Sequence, residues 1–508
     1  MGAIVARGTA APGPGLDPDA LSYVGAAESL ARAGTYRVPA SNWTAVDSTE
    51  ALAHFPPGFS TAIAIPVAAG LAPQQAARLV VVVCAAMGAA ILFTTVASAV
   101  GIVWAALAVV CVFATPAVLS QHLSLLSEPM YFVTVLLVIA GMTALRVRPR
   151  PRTALLTGLA ASAAVMTRYA GAAVLIVAVL WALAIPGPFR QRIIRALLVA
   201  APSAALCGWW VIRTMRQAGP RGIRTFSVYG GLWPGLAEGA ATIRDTVVPG
   251  TGGFAWRSVT AVVGVFALAC LVWKAAHRLE RVPDQAGNAR ARALLAATGW
   301  TAAGSAALVV VAKVIADPGI PADERMLSPL IVLAELAVMV SVATSWRTWN
   351  LGVRSAVAVV FGAWLAASVA WSANRVASAM AEGNDLASVE WRESPTIAWV
   401  RTAGAGRVLF TNWPAPLYFH AHRATHTLPE VLDALTLHRF RDRLERQHGV
   451  VVAFNAPSVD VASPDLLAAR LQLRVVARLS DGVIWEVTTT GEKRGSTSAE
   501  PVADRPTR

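Results

Sequence analysis

Charged residues are scarce in this chain of 508 residues, since Asp, Glu, Lys and Arg together make up 14% of it. Soluble proteins average about 25% charged residues. Hydrophobic residues reach 56% and the mean hydropathy is +0.56. A water-soluble protein cannot bury that much apolar surface, because most of its residues stay partly exposed. The composition therefore excludes an ordinary soluble protein and predicts a polytopic α-helical membrane protein.

Cysteine is also rare, and all four cysteines lie inside apolar runs: Cys84, Cys111, Cys207 and Cys270. Their spacing fits no metal site, so we interpret them as small buried hydrophobic side chains. The first sixteen residues lack the apolar core of a signal peptide. The sequence also shows no compact cluster of carboxylates that would require a divalent ion. We therefore expect no cofactor, while a metal bound jointly with a phosphate group stays open.

The net charge of +14 raises the question of a nucleic-acid partner. The basic residues stand in short stretches between apolar runs, and no basic helix with interleaved aromatic residues occurs. Arginines that snorkel or face lipid headgroups explain the charge more simply. The sequence thus predicts membrane lipids as partners and no nucleic acid.

About ten apolar runs approach the length of a membrane span. They are 76–98, 102–119, 129–145, 153–168, 170–186, 194–213, 258–276, 293–316, 327–345 and 354–373. Basic clusters fall in every second connection, and short basic loops stay in the cytoplasm. These clusters are Arg146, Arg148, Arg150 and Arg152; Arg190, Arg192 and Arg195; Lys274, Arg278, Arg281, Arg290 and Arg292; and Arg347 with Arg354.

The opposite, extracytoplasmic side then receives the N-terminal region and the C-terminal region. We predict an outer N-terminal region over 1–75, a transmembrane helical domain over 76–373, an extracytoplasmic α/β domain over 374–488 and a disordered tail over 489–508. The loop 214–257 departs from the charge rule, because it is basic although it should be external. Its arginines, which include Arg221 and Arg224, would suit an anionic phosphate ligand.

Ionisable residues cluster at the predicted outer ends of the spans: Asp17, Asp19, Glu128, Arg168, Asp317, Asp323, Glu324 and Arg325. A transporter or lipid flippase would place such groups near the bilayer midplane, often within internal repeats. Glu335 is the one exception, and we find no repeat. The pattern favours a site at the membrane–water boundary, with the transporter or flippase as the alternative.

The segment from Asp17 to Tyr23 begins a helix. Asp17 is suited to cap it, Pro18 to take its first position, and Asp19 to face the positive end of its dipole. Residues 20–33 then carry an apolar face that suits the outer membrane interface.

Five motifs in order resemble GT-C glycosyltransferases, in the branch of the protein O-mannosyltransferases and the aminoarabinose transferases. They are Asp19-x-x-x-Tyr23 followed by Gly34-Thr35-Tyr36, then His54-Phe55-Pro56-Pro57-Gly58, Ser127-Glu128-Pro129, Thr167-Arg168-Tyr169 and Arg325-Met326-Leu327-Ser328-Pro329. The resemblance covers roughly residues 15–375. It also implies a membrane helix before the first motif, so either a segment upstream of Met1 is missing, which we favour, or this member lacks the first span.

The resemblance implies an inverting transfer of a hexose or pentose from a polyprenyl-phosphate donor to a protein, lipid or glycan acceptor outside the membrane. It makes Asp19 the catalytic base, with Asp17 as the alternative, because a sugar hydroxyl needs a carboxylate to take its proton. Arg325 and Arg168 become candidates to stabilise the leaving phosphate. Their alternative role is snorkelling to headgroups.

Three further residues are candidates for substrate binding. Glu128 is suited to orient a substrate hydroxyl or, alternatively, to cap its helix, and Tyr23 stands at the family's spacing from Asp19. His54 occupies a position where the aminoarabinose transferases carry an acidic residue followed by lysine. Because that pair is absent, a non-catalytic homologue that binds lipid is a second alternative.

Overall fold

The computed structural model describes residues 1–218, 232–248, 254–281, 286–316, 322–456 and 461–487. The predictions for Arg221, Arg224, Asp317 and the tail 489–508 lie outside these residues. The chain divides into two compact units. The first comprises Met1–Val38 and Ala51–Val389, and the second comprises Pro39–Glu50 and the chain from Glu390 onward.

The first unit is helical. Its N-terminal part contains α1 (Gly2–Gly8), α2 (Pro18–Ala33), α3 (Gly58–Ala68), α4 (Pro73–Val100), α5 (Ile102–Ala114), α6 (Pro116–His122), α7 (Glu128–Val147), α8 (Pro151–Thr167) and α9 (Gly171–Ala184). Next come α10 (Phe189–Ala218), α11 (Leu232–Val247), α12 (Phe254–Arg281), α13 (Ala286–Val311), α14 (Glu324–Ser345) and α15 (Leu351–Glu382). The short α16 (Val389–Arg392) stands where the chain passes from the first unit to the second. A short β1 (Arg37–Val38) pairs with β3 (Glu50–Ala51).

Among the described residues, seven helices are long and apolar enough to cross a membrane: α4, α7, α10, α12, α13, α14 and α15. In lipid the backbone must satisfy its own hydrogen bonds, and a helix does so within one segment. Helices α5 and α6 form an eighth span if they are counted together, and α8 and α9 are shorter helices. The chain is therefore a multi-pass membrane protein, and each of the ten apolar runs corresponds to a helix or to the α5–α6 pair.

The pair α5 and α6 is bent by 72°. Thr115 between them is extended, with φ −65° and ψ 125°, and Pro116 begins α6. A residue before proline avoids the helical region, and proline has no N–H to donate to the preceding turn. The bend turns the chain towards the loop that precedes α7.

The second unit is a small α/β domain. Its elements are β2 (Ala40–Ser41), α17 (Pro395–Arg401), β4 (Leu409–Thr411), α18 (Pro414–Ala421), β5 (Thr425–Thr427), α19 (Ala434–Gln447), β6 (Val450–Phe454), α20 (Pro464–Leu471), β7 (Arg474–Arg478) and β8 (Gly482–Glu486). The strand order is β2-β5-β4-β6-β8-β7. The first four strands are parallel, while β8 runs antiparallel to both β6 and β7.

Both faces of this sheet are covered, because all five residues of β6 are buried. Val450 and Val452 pack on one side with Ile397 and Leu417 from α17 and α18. The alternate residues of β6 face the other side, towards α19 and α20. Since successive strand residues point to opposite faces, a wholly apolar strand indicates a sheet with helices on both sides.

Candidate active site

The chain before Asp17 is held between two other segments of the first unit. The N–H of Gly15 donates to the carbonyl of Leu123 at 2.9 Å, and the N–H of Leu125 donates to the carbonyl of Gly15 at 2.8 Å. A Cβ at Gly15 would lie 2.3 Å from Oγ of Ser124, so only glycine fits this approach. On the next residue, the carbonyl of Leu16 accepts the N–H of Leu386 at 3.2 Å. These bonds fix the position at which α2 begins.

Asp17 is the N-cap of α2, as the sequence predicts. Its Oδ1 accepts the backbone N–H of Asp19 at 3.0 Å, and Pro18 takes the first helical position. Burial raises the pKa of the Asp17 carboxyl; Arg325 opposes this effect, whereas the charge of Asp19 adds to it. Asp17 therefore combines a capping role with a position among charged groups.

Arg325 contacts three carboxylates. It lies in the first turn of α14, whose N-cap is Asp323. Its Nε is 2.8 Å from Oε1 of Glu128, its Nη1 is 3.2 Å from Oδ2 of Asp17, and its Nη2 is 2.7 Å from Oδ2 of Asp19. A planar guanidinium has donors in several directions and is suited to such bridging. One side chain from α14 thus joins the starts of α2 and α7.

Glu128 also contacts a second arginine. Nη1 of Arg168 lies 2.6 Å from Oε1 of Glu128 and donates to Oγ of Ser127 at 3.1 Å. Arg168 stands in the turn between α8 and α9, where a Cβ at Gly171 would lie 2.3 Å from the carbonyl carbon of Ala164. The close packing that only glycine allows keeps this turn tight and so limits where the arginine can reach.

We call Asp17, Asp19, Glu128, Arg168 and Arg325 the carboxylate–arginine cluster. Glu128 is its buried member, and the other side chains are partly exposed. The Glu128 side chain is 3% exposed, whereas the side chains of both arginines are 27% exposed and that of Asp19 is 30% exposed. Two positive charges face three carboxylates. A ligand that approaches from the exposed side can therefore contact either arginine or either aspartate without displacing Glu128.

Tyr23 lies beneath this cluster. Its hydroxyl is 3.1 Å from Oγ of Ser127, which itself donates to Glu128 at 3.4 Å, so the tyrosine is the donor to the serine. Burial raises the pKa of Tyr23 above its usual value, and the phenol stays neutral. The centroid of its ring lies 4.8 Å from that of Phe55, and the centroid of the His54 ring lies 4.7 Å from that of Phe55.

The structure thus brings six of the seven candidates into one connected group and places His54 beside it through Phe55. Sequence reasoning missed Ser127, which joins Tyr23, Glu128 and Arg168. Its signal was the motif Ser127-Glu128-Pro129, in which only the acidic residue was given a role. In the described residues no three His, Cys, Asp or Glu side chains are arranged to hold a metal ion.

In the second unit, Asn412 and Trp413 bind the backbone through their polar side-chain atoms. Nδ2 of Asn412 donates to the carbonyl of Phe454 at 2.9 Å, and Oδ1 accepts the N–H of Phe454 at 2.9 Å. Nε1 of Trp413 donates to the carbonyl of Ala456 at 3.1 Å. These bonds join β4 to the end of β6, which is a structural role.

No family model matches this sequence, and no curated protein matches it. Solved structures do. ArnT from Cupriavidus metallidurans, bound to undecaprenyl phosphate, superposes with a TM-score of 0.58 at 14% identity, over 96% of each chain.

Two larger proteins share the architecture as well. The mycobacterial arabinofuranosyltransferase AftD gives a TM-score of 0.55 at 16% identity, over 96% of this chain and 41% of its own. The Archaeoglobus fulgidus oligosaccharyltransferase AglB, in complex with an inhibitory peptide and a dolichol-phosphate, gives a TM-score of 0.53 at 10% identity. The match covers 89% of this chain and 68% of AglB. At these identities the likeness concerns the fold. The chain has the fold of the GT-C glycosyltransferases, as its motifs predict.

Proposed function

We propose that this protein is a membrane glycosyltransferase that moves a sugar from a polyprenyl-phosphate donor to an acceptor on the extracytoplasmic side. The observation that carries the proposal is the carboxylate–arginine cluster at the ends of α7 and α14. It combines groups that accept a proton with groups that stabilise a phosphate, on a fold shared with ArnT bound to undecaprenyl phosphate.

In the proposed reaction the acceptor hydroxyl attacks the anomeric carbon while the bond from that carbon to the phosphate oxygen breaks. The hydroxyl proton passes to Asp19, and the polyprenyl phosphate leaves with the electron pair. A single displacement of this kind inverts the anomeric centre. Arg325 and Arg168 stabilise the leaving phosphate through charge-assisted hydrogen bonds.

Asp19 suits the role of base better than Asp17. One oxygen of Asp19 contacts Arg325, and within the described part of the chain its Oδ1 accepts no hydrogen bond. Asp17 uses one oxygen to cap α2 and the other to contact Arg325. A carboxylate oxygen that is free to take a proton is what general base catalysis requires.

The test compares Asp19→Asn with Asp17→Asn in membranes supplied with radiolabelled polyprenyl-phosphate sugars. We expect Asp19→Asn to lower transfer by about 100-fold or more, because the amide cannot accept the proton. Asparagine caps helices as well as aspartate does, so Asp17→Asn should fold and keep most of the activity. Label is counted in lipid, protein and glycan products, with the protein level held equal.

Loss of transfer in Asp17→Asn but not in Asp19→Asn would identify Asp17, and not Asp19, as the base. If the wild-type protein transfers no sugar from any donor in the pool, the proposed activity is wrong.

A further inference from the structure

Ala322 is a buried residue directly in front of the N-cap of α14. It is 2% exposed, and α14 begins at Glu324 with Asp323 as the N-cap. Residues in front of the N-cap take no part in the hydrogen bonds of the helix, and a buried backbone group without a partner is costly. The groups that pair with Ala322 therefore decide where the first turn of α14 lies, and this turn carries Arg325.

Helix α11 supplies partners for both backbone groups of Ala322. Oε2 of Glu238 accepts the N–H of Ala322 at 2.9 Å. Oγ1 of Thr242 lies 3.0 Å from the carbonyl oxygen of Ala322 and 3.2 Å from that of Glu238, so its single proton is shared between them. Glu238 and Thr242 are four positions apart and share one face of α11. A Cβ at Gly239 would lie 3.6 Å from Cβ of Ala322, so this face packs directly on the chain before α14.

Glu238 also connects this point to the end of α13. Its Oε2 lies 3.3 Å from Nζ of Lys313, whose side chain is 8% exposed and which belongs to a π-helical turn, Ala312–Ala316. The hydrogen bond from Ala322 lowers the pKa of Glu238, burial opposes this effect, and Lys313 lowers the pKa further. The carboxylate is thus charged at neutral pH, and a charged acceptor forms the stronger hydrogen bond. One side chain joins α11, the end of α13 and the start of α14.

Helix α6 holds the first turn of α14 as well. Nε2 of Gln121 donates to the carbonyl of Glu324 at 3.0 Å, and Gln121 is 6% exposed. Ala117 of α6 packs in one apolar cluster with Leu327 of α14. The backbone is therefore held at the residue before Arg325 by α6 and three residues before it by α11.

We propose that Glu238, together with Thr242, positions Arg325 for the phosphate that leaves in sugar transfer. The inference rests on the proposed function, in which Arg325 stabilises that phosphate. The guanidinium reaches three carboxylates at 2.7 to 3.2 Å, so a displaced backbone would lengthen these contacts and move its donors. Misplacement by about 1 Å in an active site can lower a rate by about 100-fold. Glu238 acts through the backbone of Ala322 and is a positioning residue.

Transfer kinetics and hydrogen exchange of the full-length protein test this role together. In Glu238→Ala, kcat for transfer from radiolabelled polyprenyl-phosphate sugars should fall about tenfold, with KM changed less than about twofold. The loss concerns kcat because Arg325 acts on charge that develops in the transition state. Residues 322–327 should exchange faster in this variant than in the wild type.

Glu238→Gln is the conservative variant. Its amide oxygen can still accept the N–H of Ala322, so kcat should stay within about threefold of the wild type. Exchange of residues 322–327 should remain slow. A fall in kcat equal to that of Glu238→Ala would show that the charge of Glu238, and not its bond to the backbone, is what transfer needs, and would overturn the proposal.

The matched control is Glu445→Ala in the second unit. The Glu445 side chain is 45% exposed and pairs with Arg441 at 3.0 Å, much as the Glu238 side chain is 44% exposed and pairs with Lys313. Its removal should leave kcat, KM and the exchange of residues 322–327 unchanged. All rates are normalised to the amount of folded protein, which thermal unfolding in detergent measures.

Two further results would contradict the positioning role. Unchanged exchange in Glu238→Ala would mean that α14 begins in the same place without α11. Faster exchange with unchanged kcat would mean that α11 holds α14 but has no effect on transfer. A wild-type protein that transfers no sugar would instead overturn the proposed function, and exchange alone would then decide whether Glu238 holds the start of α14.

Discussion

At the scale of single residues, Arg325 has the most consequential set of contacts. It connects carboxylates from two different elements, at distances of 2.7 to 3.2 Å. Without it Asp17 and Asp19 would face Glu128 with only Arg168 to balance them. Like charges gathered in a partly buried site are costly unless a cation lies between them. Arg325 therefore has a structural role besides the proposed contact with phosphate.

Replacing Arg325 with glutamine should lower the free energy of unfolding by about 3 kcal/mol, because a partly buried ion pair loses one partner. The free energy of unfolding of Arg325→Lys should lie between those of the wild type and of Arg325→Gln. An ammonium keeps the positive charge, but it cannot bridge three carboxylates in a plane. Thermal unfolding in detergent measures both variants.

The control for this prediction is Arg32→Gln. Arg32 pairs with Glu28 at 2.8 Å, but its side chain is 71% exposed. A surface pair of this kind contributes less than about 1 kcal/mol. If Arg32→Gln and Arg325→Gln destabilise the protein equally, the contacts of Arg325 are not structural.

At the scale of elements, the sequence predicts the long helices and three strands of the second unit, β4, β6 and β8. Helices such as α4 follow from hydropathy, because lipid imposes a run of apolar residues on every span. The run 102–119 hides the 72° bend between α5 and α6, since hydropathy carries no direction. The candidate residues were identified from motifs, but their convergence on Arg325 depends on helix packing that no local pattern encodes.

Strand β2 is the least predictable element, because it has two residues and pairs with β5 far along the chain. The segment Pro39–Glu50, here called the strap, is held in the second unit by His426. Nδ1 of His426 donates to Oγ of Ser41 at 2.9 Å, since that hydroxyl donates in turn to the carbonyl of Asp47 at 2.7 Å. Nε2 then accepts from Arg443 at 3.4 Å, which requires a neutral ring.

The strap should loosen in acid. Burial, and then the charge of Arg443, lower the pKa of His426 below its ordinary 6.5, while the backbone of Asn42 and the charge of Asp47 act in the opposite direction. The unfolded state then binds more protons than the folded state between the two pKa values. The stability that His426 contributes is present above about pH 6.5 and falls as the pH drops towards its folded pKa.

Hydrogen exchange measures this effect. After correction for intrinsic rates, residues 39–50 should exchange faster at about pH 5.5 than at about pH 7.5. In His426→Gln the protection of these residues should no longer depend on pH in that range. Equal pH dependence in both proteins would assign the effect to another group.

At the scale of the whole molecule, two spans relate the cluster to the basic residues at the other face. Helix α7 begins at Glu128 and ends beside Arg148, and α14 begins beside Arg325 and ends close to Arg347. Each helix covers about 30 Å at 1.5 Å per residue. The positive residues at their far ends agree with the charge rule for cytoplasmic loops and support the proposed placement of the site outside.

This sidedness can be tested by labelling with a membrane-impermeant maleimide. Ala33→Cys, at the exposed end of α2, should react in intact cells, whereas Arg148→Cys should react only after permeabilisation. The native cysteines give a low background, because Cys84 and Cys111 are buried and the other two lie within apolar helices. The reverse pattern of labelling would place the cluster in the cytoplasm.

The pairing of Ser41 with His426 also has a consequence for the order of folding during synthesis. These two residues are 385 positions apart, so a ribosome that adds about 5–20 residues per second needs roughly 20–80 s to deliver the second after the first. During that interval the strap has no strand to pair with, while the membrane helices are synthesised and inserted into the bilayer. The sheet is therefore completed last, and a delay or truncation late in translation leaves an early segment of the chain without its partner.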